Sequence, residues 1–178
     1  PGAESIPYPA LPNSFKNLLS VELDGIIGHY TKGKDITVFR NEKVDILPLI
    51  CYESIFGDVI TGKKSNLIAI ITNDGWWRNT AGHKQHFQYA RLRAIEQRKS
   101  VVRSANTGIS GLIHLNGKVI EKTNWEEEIA INVKVPLSDK VTFYNRYGDY
   151  IGRIFSFVAV LLLFSSFVKK RIKKIPTF

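Results

Sequence analysis

Apolar runs and alternations divide the chain into recognisable elements. "ITVFR" (36–40) and "VDILPLICY" (44–52) read as two strands joined by the hairpin-like connection "NEK". "ESIFGDVITGKKS" (53–65) reads as a short helix, and "NLIAIITND" (66–74) is the continuous apolar run of a strand covered on both faces. After the loop "GWWRNTAG", "HKQHFQYARLRAIEQRKS" (83–100) is the clearest helix. Phe87, Ala90, Leu92, Ala94 and Ile95 form its apolar stripe, with the basic residues on the opposite, solvated face. "SVVRSAN" (100–106) is a further strand, "ISGLIHLNGKVIEKT" (109–123) a hairpin turning at Asn116-Gly117, and "EIAINVKVP" (128–136) a last strand. Ahead of all these, Pro1 to Pro12 is an irregular lead-in, Asn13 or Ser14 caps a short helix through Val21, and Gly25 to Lys34 is a glycine-rich loop. Strands alternate with helices in the middle and hairpins occupy the ends, which predicts an α/β layered domain with a mixed sheet.

The pattern changes at "IGRIFSFVAVLLLFSSFV" (151–168), where Arg153 is the one charged residue. Eighteen helical residues rise roughly 27 Å, near the thickness of a hydrocarbon core, and Arg153 lies close enough to one end to snorkel. A transmembrane helix is expected here, with a buried C-terminal helix as the alternative. Lys169, Lys170, Arg171, Lys173 and Lys174 follow at once and supply five of the net +9 charges, so the remainder is an ordinary +4. This basic edge has the character of a cytoplasmic flank, which would place residues 1–150 across the membrane, in a bacterium on the periplasmic side. The organisation expected is therefore a domain over 1–150, a span over 151–168 and a basic cytoplasmic tail over 169–178. A chain with no methionine that opens on "PGAESIPYPALP" is expected to be the C-terminal portion of something longer.

A single cysteine excludes an internal disulfide. Cys51 stands where a buried strand gives way to a predicted helix, and at such an elbow backbone N–H groups favour a thiolate and can hold an oxyanion. A lone cysteine at the end of an apolar strand also reads as inert core. Glu53, two residues on, would share a face with Cys51 in an extended chain. It serves there as a positioning group or charge partner, or else as a solvated acid at a helix start. The adjacent tryptophans of "NDGWW" either both plug the core or include one that lines an apolar pocket. His83 and His86, at i, i+3 without a nearby acid or cysteine, make a weak metal pair, and no metal site is assigned.

"LPLICYESIFGD", "ITNDGWW" and "GHKQHFQYARLRAIEQRKSVVRSANTGISGLIHLNGKV" together resemble the catalytic domain of the apolipoprotein N-acyltransferases, membrane-bound members of the nitrilase (carbon-nitrogen hydrolase) superfamily. The resemblance implies a nitrilase-like αββα sandwich, present in part, followed by one C-terminal transmembrane helix in the bacterial inner membrane. It implies an acyltransferase that moves an acyl chain from a phospholipid, through a cysteine thioester, to the N-terminal amine of a diacylglyceryl-cysteine lipoprotein, with no cofactor. Cys51 matches the nucleophile, and Tyr52 and Glu53 the residues that follow it. Glu4 in "PGAE" resembles a supporting acid, Trp76 a pocket tryptophan, and Asn73 and Asp74 residues that fix the loop, Asn73 also bordering the substrate. The family's general-base glutamate and oxyanion-stabilising lysine find no counterpart in residues 1–178, so this chain by itself is expected to be inactive. The alternatives are a membrane-anchored amidase that uses water, and a non-catalytic tethered binding module. No nucleic-acid motif is recognisable.

Overall fold

The computed structural model describes residues 36–172, with side chains through Lys169. Glu4, the predicted lead-in, the helix through Val21 and the glycine-rich loop lie outside the described residues.

Six strands form one mixed sheet in chain order: β1 (Phe39–Arg40), β2 (Asp45–Ile50), β3 (Leu67–Thr72), β4 (Ser100–Ala105), β5 (Gly111–Ile113) and β6 (Val119–Lys122). β2, β3 and β4 run parallel, in the register Leu49↔Ile70 and Ile70↔Arg103, while β1, β5 and β6 are antiparallel additions at the edges. The edge hairpins are those the sequence predicts. The second turns at Gly117, whose φ of +84° suits a residue without Cβ.

The connection from β3 to β4 is helix α1 (Ala81–Gln97), capped by the Thr80 hydroxyl, which accepts from the Gly82 N–H, and closed by Arg98 in a left-handed conformation. It packs Phe87, Ala90 and Ala94 onto the sheet face formed by Leu47, Leu49, Ile68, Ile70, Val101 and Ile113. The predicted apolar stripe is corrected in two places. Leu92 and Ile95 are 41% and 40% exposed, and the turns of the helix that face inward carry His83, His86, Arg93 and Gln97 instead. Arg93, read as part of a solvated face, is buried against Glu96. Hydrophobicity alone misplaces this face because the inner stripe is half polar, and His86 and Gln97 meet partners from distant parts of the chain, Asp74 and Asn145.

Three further expectations change. The segment after β2 forms two short 3-10 turns, Cys51–Ile55 and Gly57–Ile60, rather than a helix. β3 is covered on one face only over its last residues: Ile71, on the side away from α1, is 56% exposed, because the described residues supply no second layer there. Residues 128–136 form no strand. Ile131, Val133 and Val135 alternate with exposed Asn132 and Lys134 as a strand would. A strand also needs a neighbouring ladder, however, and this segment is tied down near its end by isolated bonds: Ser100 Oγ donates to Pro136 O at 2.6 Å and, just beyond the segment, Lys99 Nζ to Ser138 O at 3.2 Å.

Beyond it, the short helix α2 (Phe143–Tyr147) is fastened to the second 3-10 turn through buried Asn145. The Asn145 side-chain amide donates to Gln97 Oε1 at 2.6 Å and Lys63 O at 3.2 Å, and the Asn145 backbone carbonyl accepts from the Gly62 N–H at 2.7 Å. Helix α3 (Tyr150–Ile172) follows. Its stretch 150–169 is long and apolar enough to cross a membrane by length and composition, and none of it is buried against the domain. Arg153, in its first turns, reaches Asp58 of the second 3-10 turn at 3.6 Å.

Candidate active site

Parallel strands bring the chain segments that follow them to one edge of the sheet, and the C-terminal edge of β2, β3 and β4 is where the candidate residues meet. β2 ends at Ile50 and Cys51 follows with φ +51°, a left-handed conformation that costs a residue with a Cβ roughly 1–2 kcal/mol. The strand is turned sharply at this one residue. Cys51, a free thiol, is half-buried at the bend. The bend is held from both sides. Glu53 Oε2 accepts from the Ile50 N–H at 2.7 Å, and Ser54 Oγ donates to Cys51 O at 2.8 Å. Glu53 therefore does not share an extended face with Cys51, as the sequence suggested. It caps the turn that presents the cysteine.

Behind the elbow lies a buried polar network. His86 Nε2 is 3.0 Å from Ser54 Oγ and 3.3 Å from Cys51 O, and its Nδ1 is 3.0 Å from Asp74 Oδ1. Arg103 Nη2 lies 3.0 and 2.8 Å from the two Asp74 oxygens, while Nη1 bonds Ile109 O. Thr72 Oγ1 donates to Asp74 Oδ1 at 3.2 Å. Burial by itself raises the Asp74 carboxyl, but the hydrogen bond with His86 and the Arg103 charge together outweigh it and hold the group below the usual carboxylate range.

The order Ser54, His86, Asp74 has the connectivity of a serine-hydrolase relay. Three facts remove that reading. Ser54 is fully buried, its hydrogen is committed to Cys51 O, and Asp74 is already neutralised by Arg103. Cys51, by contrast, is only half-buried.

The other sequence candidates fall around this centre. Tyr52, partly exposed, stacks near His86 with ring centroids 6.0 Å apart and near Trp77 at 5.6 Å. Trp77 rather than Trp76 packs against the network, its ring 5.1 Å from that of His86. Trp76 projects outward, 70% exposed. Asn73 Oδ1 accepts from the Gly75 N–H at 3.0 Å and the Thr107 hydroxyl at 3.3 Å, so it ties the loop after β3 to the loop after β4. His83 and His86 do not converge, since His83 Nδ1 lies against Arg78 O and its ring against Trp125.

Sequence reasoning missed Ser54, His86 and Arg103 and gave Asp74 only a loop role. One signal was available. His86 lies next to Phe87 and one turn before Ala90, on the inward face, and a buried imidazole demands a polar partner.

Gly108 shows how tightly the network is enclosed: a Cβ there would lie 2.0 Å from Asp74 Oδ2 and 2.6 Å from Asp74 Cγ. Because Asp74 is pinned by Arg103, His86 and Thr72 it cannot step aside. Gly108→Ala is expected to cost about 1–3 kcal/mol by overpacking, seen as a lower thermal unfolding midpoint. An unchanged midpoint would mean that the loop yields instead.

The sequence profile described as Carbon-nitrogen hydrolase matches residues 10–141. Among curated relatives, the apolipoprotein N-acyltransferase of Chlorobaculum tepidum is 32% identical over 179 residues, which is 96% of this chain and 33% of that protein. The protein of the same name from Thermotoga maritima is 31% identical over 170 residues, 93% of this chain and 33% of its own length. That of Bradyrhizobium diazoefficiens is 39% identical over 127 residues, 70% of this chain and 24% of its own length. The chain thus spans about a third or less of the length of each of these relatives. A profile that covers the strands, the Cys51 elbow and the network behind it leads to one conclusion: the chain belongs to the carbon-nitrogen hydrolase family.

Proposed function

We propose that this chain supplies the nucleophile of a lipoprotein N-acyltransferase. The observation that carries the proposal is the left-handed elbow at Cys51, which presents the thiol at the C-terminal edge of the parallel strands with its backbone fastened on both sides. Relatives bearing the name apolipoprotein N-acyltransferase support the choice of reaction. The Cys51 thiolate attacks the acyl ester carbon of a phospholipid; the ester C–O bond breaks, and lysophospholipid leaves with a proton. The resulting thioester is then attacked by the N-terminal amine of a diacylglyceryl-cysteine lipoprotein, forming an amide and returning the thiol.

The general-base glutamate and the oxyanion lysine are supplied from outside residues 1–178. Lys63 and Lys64, which follow the nucleophile, are not substitutes for that lysine. Glu53 positions the elbow and Glu4 supports the catalytic loop. Tyr52 and the exposed indole of Trp76 border the acyl chain, and Asn73 shapes the loop beside them. No metal or organic cofactor takes part. The surrounding fold is a nitrilase-like αββα sandwich, of which the sheet and α1 are one half.

Helix α3 spans the bacterial inner membrane, with the domain on the periplasmic side and the basic tail in the cytoplasm. Its 20-residue, predominantly apolar stretch 150–169, unburied by the domain, supports that placement, and the +9 charge is read as a topology signal rather than a nucleic-acid site.

The test is intact mass spectrometry after incubation with phospholipid. The intact protein should gain one acyl mass that maps to Cys51 and disappears on adding a lipoprotein-derived peptide with a free N-terminal amine. Residues 1–178 alone should gain none. Release of free fatty acid with no transfer to the amine would point to an amidase-like hydrolase instead. An intact protein that never acylates would end the acyltransferase reading.

A further inference from the structure

We propose that His86 is a positioning residue for the nucleophile: backed by Asp74 and Arg103, it clamps the Cys51 carbonyl and keeps the elbow in its left-handed conformation. The proposal deepens the acyltransferase reading and rests on it only for the identity of the reaction.

The Asp74 carboxylate, 3.0 Å from Nδ1, can only accept, so Nδ1 donates to it, and the groups at Nε2 are acceptors as well. The two neighbours of Nε2 are Cys51 O, which can only accept, at 3.3 Å, and Ser54 Oγ at 3.0 Å, whose own hydrogen goes to Cys51 O at 2.8 Å. Every group facing Nε2 thus presents a lone pair, and Nε2 donates. The Cys51 carbonyl consequently receives Ser54 directly and His86 as a second donor, and both donors are buried. On the far side, Nδ1 is held by Asp74 Oδ1 at 3.0 Å, which Arg103 Nη2 bonds in turn at 3.0 Å, and the ring packs near Tyr52 and Trp77. His86 therefore has little freedom to rotate away.

A clamp is needed because the conformation it holds is unfavourable. Cys51 has φ +51°, a conformation that a residue with a Cβ keeps only where its surroundings hold it. Without donors on its carbonyl, the peptide after Cys51 would relax toward the extended region and swing the thiol off the strand end. A displacement of about 1 Å at a reacting group can cost on the order of 100-fold in rate. Function rather than stability explains the arrangement, since a glycine at position 51 would remove the strain outright.

The experiment uses the intact protein in detergent micelles with three variants: His86→Leu, which removes the donor; His86→Gln, whose side-chain amide can replace it; and Ser54→Ala, which removes the companion donor with a smaller perturbation. Two rates are read for each: alkylation of Cys51 by iodoacetamide, which needs no substrate, and acylation of Cys51 by phospholipid, normalised to folded protein. Both rates are expected to fall by about 100-fold in His86→Leu and several-fold in Ser54→Ala, with the phospholipid KM unchanged. His86→Gln should recover to within about tenfold of wild type. Folded His86→Leu or Ser54→Ala with both rates at wild-type level would make the network purely structural and overturn the proposal. His86→Gln as slow as His86→Leu would overturn the donor assignment. Should His86→Leu fail to fold, Ser54→Ala and His86→Gln decide the matter by the same criteria. If wild type is alkylated but never acylated by phospholipid, the acyltransferase reading fails while the alkylation series still tests the clamp.

Discussion

Cys51→Ala is expected to lose acyl transfer by about 10⁴-fold or more while the domain keeps its fold. In the proposed reaction the sulfur is the atom that becomes acylated, and no second thiol exists in residues 1–178 to replace it. The substitution removes one half-buried atom at the end of β2 and leaves the backbone as constrained as before, because alanine carries the same Cβ penalty at φ +51°. Unfolding stability should therefore move by less than about 1 kcal/mol. Cys51→Gly should be equally inactive and at least as stable as Cys51→Ala, since glycine occupies the left-handed region without strain. Lipoprotein acylation read by gel shift, together with thermal unfolding of the same samples, checks both statements. Retained acylation in Cys51→Ala would refute the role of the thiol. A glycine variant markedly less stable than the alanine variant would refute the strain at the elbow.

The second large effect concerns Arg103→Leu. Removing the guanidinium leaves Asp74 buried without its charge partner, and breaking such a pair from one side costs about 3–5 kcal/mol. The loss is expected at pH 7 in chemical or thermal unfolding. It also has a pH signature. In the wild type the Asp74 carboxyl is held below its ordinary range, so its contribution is fully present above the unfolded-state value of about 3.9 and is lost as pH falls through the folded-state value. Without Arg103, burial, the largest influence on the group, is opposed mainly by His86, and the carboxyl moves up. The acid limb of the stability curve should then begin at higher pH in Arg103→Leu than in wild type. Adding Asp74→Asn to Arg103→Leu should restore part of the lost stability, because the uncompensated charge is gone. An Arg103→Leu protein as stable as wild type at pH 7 would show that the pair carries no net weight in the fold.

Much of the scaffold is legible in the order of residues. The β-branched runs at 44–50 and 66–72, the long helix and the Asn116-Gly117 hairpin were all readable, because each is encoded by neighbours within a dozen positions. The failures share a cause. The apolar pattern of α1 puts Leu92 and Ile95 on its inner face, whereas that face holds His86 and Arg93. Residues 128–136 alternate correctly yet lack a ladder. At the candidate site, the position of Cys51 at a strand end was legible from its own segment, whereas the buried placement of Ser54, His86 and Arg103 was not, since Ser54 meets His86 32 positions away and Arg103 meets Asp74 29 positions away.

What the sequence determined by itself is the set of elements, the placement of a single thiol at a strand end, and an apolar stretch of membrane-spanning length. These follow from periodicity and local chemistry. What only the tertiary structure decided is that Cys51 sits at a left-handed bend, that Trp77 rather than Trp76 packs against the network, and that a polar helix face is buried behind that bend. The physical reason is that burying a charge is unfavourable until its partner arrives. The Asp74, His86 and Arg103 side chains look like solvated groups one at a time, and become an interior only when parallel strands β3 and β4 and helix α1 bring all three within 3.1 Å.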